Sequence, residues 1–145
     1  MCGITGIFNL NAEPVNPGLL SQMTRLLSHR GPDDEGTCIW GNAGFGHRRL
    51  SIIDLSSRGH QPMSNENGTI WITYNGEIYN HRALRDDLQK AGHRYGSQTD
   101  TETIIHLYEE KGVDCLQYLD GEFAFSIWDA SKKIIFSARD RLGVK

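Results

Sequence analysis

The residue with the widest chemical reach in this chain stands second. Cys2 follows Met1 directly and opens the run CGITGIF. A cysteine there has four readings: a buried core residue, a metal ligand, a lipid-attachment site, or a nucleophile that becomes the first residue once methionine is removed. The last would carry its own base, because an α-amine of unperturbed pKa about 7.7 to 8.0 is partly neutral at pH 7 and would sit on the same residue as the thiol. The lipid reading falls, since no lysine or arginine precedes Arg25 and a myristoylated chain needs glycine behind its methionine. The cysteines, at 2, 38 and 115, are odd in number and lack a C-x-x-C pair, so neither a disulfide framework nor a zinc knuckle is indicated. Histidines 29, 47, 60, 81, 93 and 106 are dispersed without H-E-x-x-H spacing, and no metal site is expected. A papain-like pair built on Cys38 or Cys115 finds no supporting motif.

Positioning a reactive cysteine takes a folded core. The chain has 145 residues, 38% apolar and 23% charged, a globular composition that suits one domain or most of one. Its net charge is −3 and its basic residues are scattered, so no nucleic-acid footprint is present. No apolar run approaches the roughly 18 residues of a membrane helix. A reduced, cytoplasmic protein is expected, with neither nucleic acid nor membrane as a partner.

Residues 3–10 alternate as a first strand, and their nearly all-apolar character predicts burial on both faces. Asn16-Pro17 joins an N-cap to a proline at the first helical position, and Leu19, Leu20, Met23, Leu26 and Leu27 carry a helix to about Ser28. HRGPDDEG, 29–36, breaks all periodicity and predicts an ordered loop. Strands follow at about 37–40, 44–55 and 69–75, an antiparallel meander with an Asn67-Gly68 turn before the last. Asn80 can cap a helix closed by Gly92, and Asp100 or Thr101 can cap another closed by Gly112. A hairpin of 122–128 with 134–138 completes the pattern, which predicts an α+β layered fold with helices on the outer faces. The chain stops at Lys145 soon after a strand, so the fold is expected to be incomplete at its C-terminus.

Several stretches carry more polar detail than folding requires: CGI at 2–4, HRGPD at 29–33, GHRRLSIID at 46–54, QPM at 61–63, YNGEIYN at 74–80, TDTE at 99–102, DGEFAF at 120–125 and RDRLGVK at 139–145. In this order they resemble the glutaminase domain of class II, or N-terminal nucleophile, glutamine amidotransferases, and within that class the glutamine-hydrolysing asparagine synthetases. The resemblance spans the whole chain. It implies the Ntn-hydrolase fold, a four-layer αββα sandwich of two antiparallel sheets, over residues 2–145. A downstream ATP-dependent synthetase domain would be absent.

The resemblance also implies a reaction. Cys2 would attack the side-chain amide of L-glutamine, releasing ammonia and leaving a thioester that water opens to glutamate. The α-amine would take the thiol proton and later hand one to the leaving ammonia. Asn75, through its side-chain amide, and Gly76, through its N–H, would form the oxyanion hole. Arg49 would hold the substrate carboxylate and Asp100 and Glu77 its ammonium, with backbone groups of the strand around Leu50, Ile52 and Ile53 assisting. Arg30 and Asp33 are read as structural residues near the site. This half needs no metal or cofactor, and Mg-ATP is expected only in the absent synthetase domain, which would receive the ammonia. Two alternatives stand beside this reading. One is a glutaminase serving a different acceptor; the other is an inactive truncated module whose cut sheets favour a homo-oligomer.

Overall fold

The computed structural model describes all of Met1–Lys145. In chain order the elements are β1 (Gly3–Phe8), α1 (Pro17–Leu26), β2 (Asp34–Trp40), β3 (Ala43–Arg49), β4 (Met63–Ser64), β5 (Ile70–Ile78), α2 (His81–Lys90), α3 (Asp100–Lys111), β6 (Gly121–Asp129) and β7 (Ile134–Arg139), with 3-10 turns at Ser57–Gly59 and Gly112–Gln117. The strands form two antiparallel sheets, ordered β1-β3-β2 and β4-β5-β6-β7. Helix α1 packs on the first sheet and α3, with α2 beside it, on the second, while β5 meets β1 and β3 between the sheets. The layers therefore run helix, sheet, sheet, helix, which is the expected α+β arrangement.

Strand alternation sorts the interior into two cores. On β5, Ile70, Ile72, Tyr74 and Ile78 turn towards α3 and join Ile104, Ile105, Phe125 and Ile127 in the larger core. The opposite face of β5 carries Trp71, Thr73, Asn75 and Glu77 towards the first sheet. There Trp71 and Trp128 gather around Trp40 and Phe45, with ring centroids 5.3 Å apart for Trp40 and Trp71 and 5.4 Å for Trp40 and Phe45. On β3, Ala43, Phe45, His47 and Arg49 point to this interior. The alternate residue Gly46 passes beneath α1, where any Cβ would collide with the hydroxyls of Thr24 and Thr5.

Midway along the same strands, the His47 ring bridges the sheets. It is 1% exposed and its Nε2 lies 3.0 Å from the Tyr74 carbonyl. A carbonyl only accepts, so Nε2 carries the hydrogen and donates. Burial lowers the pKa of His47 to about 4, against a weaker raising effect of that hydrogen bond.

Four local expectations are corrected. The first strand is not buried on both faces: β1 is an edge strand, and Gly6 and Phe8 are exposed. The strand expected at 44–55 ends at Arg49, so Leu50, Ile52 and Ile53 lie in a loop. Their apolar side chains extend the strand pattern, but the Asp33 carboxylate accepts from Ser51 N at 2.8 Å and the Arg49 guanidinium donates to the carbonyls of Asp54 and Ser56, folding the chain back. Asn80 does not cap α2 with its side chain, which instead bonds Tyr118 O at 2.8 Å and Asp120 N at 3.1 Å. Thr99, not Asp100 or Thr101, caps α3.

His47 should make the fold acid-sensitive. Its ordinary pKa of 6.5 applies in the unfolded chain and about 4 in the fold, so its stabilisation is whole above pH 6.5 and is lost as pH falls towards 4. The loss amounts to about 3 kcal/mol at 1.36 kcal/mol per unit. Urea unfolding across that window will show stability falling with acidity, and His47→Gln will flatten the fall.

Candidate active site

At the end of β3 and β5 away from the tryptophans, the sheets part around a cavity of about 180 Å³. Cys2, Arg49, Leu50, Ile52, Ile53, Asn75, Gly76, Glu77 and Asp100 all line it. Residues separated by as many as 98 positions in the chain thus meet in one place.

Cys2 stands one residue before β1, and alternation puts its side chain on the face that Ile4 turns towards the second sheet. Its Sγ accepts from Leu50 N at 3.4 Å and lies 3.7 Å from Leu50 O. The backbone of Cys2 is fixed from the HRGPD loop, where Arg30 Nε donates to Cys2 O at 3.0 Å. That loop is itself held by Arg48, whose Nε donates to Gly31 O at 2.8 Å and whose Nη1 meets Glu35 Oε2 at 2.6 Å. Burial raises the pKa of the other two thiols, Cys38 and Cys115, the latter to about 11.

Arg49 is 7% exposed. Its guanidinium donates to two loop carbonyls, at Asp54 and Ser56, yet no carboxylate lies within ion-pair reach of it. The nearby Asp54 carboxylate is committed elsewhere: hydrogen bonds from Ser56 and Gln98 lower its pKa to about 2. Gly59 is pressed against the guanidinium so closely that a Cβ there would collide with it. A buried cation without a counter-anion is costly, and a ligand carboxylate would relieve it.

The facing wall belongs to β5 and α3. The Asn75 side chain is 8% exposed and makes no hydrogen bond within the chain. Along the free edge of β5, Tyr74 N donates to Gln61 Oε1 at 2.7 Å and Ile78 N to Asp100 Oδ2 at 3.0 Å. Both N–H groups point away from β6, and strand parity sends the intervening Gly76 N–H the same way, into the cavity. No side chain fits at Gly76, because a Cβ would strike Glu122 O and Phe123 Cα. Since Thr99 does the capping, the Asp100 carboxylate is free to face inward. Its Oδ2 accepts from Tyr74 Oη at 2.5 Å as well as from Ile78 N, while Oδ1 has no partner. Burial, then the adjacent Asp100 carboxylate, keeps Tyr74 protonated, so its hydroxyl remains a donor.

The registration of β5 on β6 sets Glu77 opposite Glu122, and Lys145 Nζ pairs with Glu122 Oε1 at 3.2 Å. Sequence reasoning missed Glu122, Lys145, Gln61, Tyr74 and Gly59 as members of this cavity. The stretches QPM, YNGEIYN, DGEFAF and RDRLGVK contain four of them, but only the fold brings them to the cavity. The cavity itself gathers no set of three metal-ligating side chains; the one such set, His93, His106 and Glu109, lies at the α2–α3 corner.

Residues 1–145 match, over the entire chain, the family described as glutamine amidotransferase domain. The chain belongs to that family. This amidotransferase domain is 43% identical over 150 residues to asparagine synthetase [glutamine-hydrolyzing] 3 of Bacillus subtilis, covering 100% of the chain and 24% of that protein. It is 44% identical over 148 residues to asparagine synthetase [glutamine-hydrolyzing] 2 of the same organism, covering 100% of the chain and 19% of that protein. The chain thus spans about a quarter or less of the length of these relatives. In fold it is similar to the glutamine phosphoribosylpyrophosphate amidotransferase from B. subtilis complexed with ADP and GMP, with a TM-score of 0.81 at 21% identity over 100% of this chain and 38% of that one. The domain is therefore homologous to the glutaminase part of glutamine-hydrolysing asparagine synthetases. No helix is long and apolar enough to cross a membrane.

The Tyr74 hydroxyl gives the buried Asp100 carboxylate one of its two donors. Tyr74→Phe should therefore destabilise the domain by about 1 to 3 kcal/mol, the cost of a buried acceptor losing its partner. Urea unfolding at neutral pH measures it, and a loss near zero would show that Asp100 is not held as described.

Proposed function

We propose that Cys2 is the nucleophile of a glutaminase that cleaves the side-chain amide of L-glutamine and supplies ammonia to a synthetase domain of the parent protein. The observation that carries this reading is the complementarity of the cavity to an amino acid bearing an amide. A buried guanidinium without a counter-anion stands on one wall and the carboxylates of Glu77 and Asp100 on the other. The thiol and two unpaired donors, the Asn75 amide and the Gly76 N–H, share the lining of the same cavity.

In this scheme Arg49 binds the glutamine carboxylate through the donors its loop carbonyls leave free. Asp100, through Oδ1, and Glu77 take the ammonium, while Lys145 already neutralises Glu122. Removal of Met1 frees the Cys2 nitrogen as an amine, which accepts the thiol proton as Sγ attacks the amide carbon. The tetrahedral oxyanion is met by the Asn75 amide and the Gly76 N–H, fixed in advance by the strand. Collapse releases ammonia with the proton held by the amine, and water then opens the thioester to glutamate. Leu50 contributes backbone groups from the loop that faces Cys2 Sγ, and Ile52 and Ile53 close the cavity. The chemistry of this half runs on these protein groups and water, whereas Mg-ATP and an aspartate acceptor belong to the synthetase domain. A cytoplasmic setting would keep the thiol reduced.

Intact mass before and after treatment with a diazoketone analogue of glutamine tests the nucleophile. The expected result is loss of Met1 and a single adduct on Cys2. An adduct on Cys38 or Cys115, or none on a chain that has lost Met1, would overturn the assignment. In glutaminase assays Asn75→Ala should lower kcat by about 100 to 1000-fold, the usual cost of one oxyanion donor. Gly59→Ala, which crowds the Arg49 guanidinium, should instead raise KM for glutamine with kcat little changed.

A further inference from the structure

The corner where α2 turns back onto α3 holds a second cluster that the glutamine chemistry leaves unused. His93 follows α2, while His106 and Glu109 lie one turn apart on α3. His93 Nδ1 lies 3.2 Å from His106 Nδ1 and 3.4 Å from Glu109 Oε2, and His106 Nδ1 lies 2.8 Å from the same oxygen. We propose that these three atoms form a binding site for one divalent transition-metal ion of the zinc class.

Three features of the cluster support the assignment. The first is size: ligands about 2.0 to 2.1 Å from a tetrahedral ion stand about 3.3 Å from one another, which two edges of the triangle match at 3.2 and 3.4 Å, while the third, now a 2.8 Å hydrogen bond, would open by about 0.5 Å. The second is the state of the rings. His106 Nε2 lies 3.1 Å from Arg94 O, which only accepts, and His93 Nε2 lies 3.0 Å from Glu110 Oε1, so both rings carry hydrogen on Nε2 and direct Nδ1 at the centre. Without a metal, a proton on His106 Nδ1 bridges to Glu109 Oε2 at 2.8 Å and faces His93 Nδ1 at 3.2 Å; a metal ion in its place would take all three atoms as ligands.

The third feature is that every ligand is held from behind, as metal ligands usually are. Arg94 O and Glu110 orient the rings, and Asn65 Nδ2 donates to Glu109 Oε1 at 2.7 Å, leaving Oε2 to the centre. Asn65 is locked in turn by accepting from Thr69 N and Ile70 N. Two imidazoles and one carboxylate suit zinc, nickel or cobalt rather than magnesium or calcium. The His93 and Glu109 side chains keep 15% and 22% exposure, which leaves a fourth position for water. The bound ion would cross-link α2 to α3 and, through Asn65, to the start of β5. The sequence does not single out this cluster because its residues come from two segments 13 residues apart, of which only the H-x-x-E spacing at 106–109 is visible in the sequence.

The test is calorimetric titration of Zn²⁺ into the metal-stripped full chain carrying Cys2→Ser, so that the half-buried thiol at the cavity cannot compete. One equivalent should bind, and Co²⁺ in its place should give the visible absorption of a four-coordinate site. His93→Asn and Glu109→Gln should each weaken binding by at least about tenfold while the chain still melts cooperatively. No binding, or binding undiminished in both variants, overturns the proposal. Should either variant fail to fold, proton NMR of the Co²⁺ complex of the Cys2→Ser chain decides. Large paramagnetic shifts must fall on the rings of His93 and His106, and shifts centred on other histidines overturn it.

Discussion

β3 and β5 lie against each other across the interior, and the contact between them is graded from end to end. At one end tryptophan rings fill the gap. In the middle His47 crosses it with one hydrogen bond to the Tyr74 carbonyl. At the other end the residues in line with these, Arg49 on β3 and Asn75 and Glu77 on β5, are too polar to close on one another, and the sheets enclose a cavity instead. The cavity therefore follows from the same period-two alternation that builds the core. Moving either strand by one residue would turn Arg49 or Asn75 away from it.

Burial without a partner is the shared property of the groups at this end. The Arg49 charge, the Asn75 amide and one oxygen of Asp100 belong to buried residues, open onto the cavity alone, and are at most partly satisfied by the chain. A fold tolerates few such groups, because each costs stability. Here they are held in place by neighbours that are themselves hydrogen-bonded: Asp54 to Ser56 and Gln98, Gln61 to Tyr74 and Thr101, and Arg30 to the Cys2 carbonyl. Satisfied side chains thus form a frame around unsatisfied ones, which is the preorganisation that amide hydrolysis demands.

Much of this was legible in the sequence, and its limits have physical causes. The ordered motifs identified the residues around the cavity, and alternation in β5 and β6 identified the core. The Leu50–Asp54 stretch reads as strand because its apolar residues continue the pattern, and nothing local reveals that Arg49 and Asp33 capture the loop backbone. The sequence places the cap of α3 one or two residues late, at Asp100 or Thr101 instead of Thr99, since threonine and aspartate both suit that position. The difference matters, for it decides whether Asp100 faces its own helix or the cavity. The face-to-face glutamates of β5 and β6 and the histidine pair at the α2–α3 corner depend on register and helix crossing, which no single segment encodes.

The open side of β5 has one more consequence. An unpaired strand edge invites foreign strands, and a β-rich domain ordinarily has to blunt it. β4 covers only Trp71 and Ile72 before the chain departs, but Gln61 occupies the N–H of Tyr74 and Asp100 that of Ile78. Side chains thus stand in for a neighbouring strand at every second amide except that of Gly76. A lone free amide between two blocked ones cannot template a ladder. The edge resists aggregation while leaving a single backbone donor open to a small molecule.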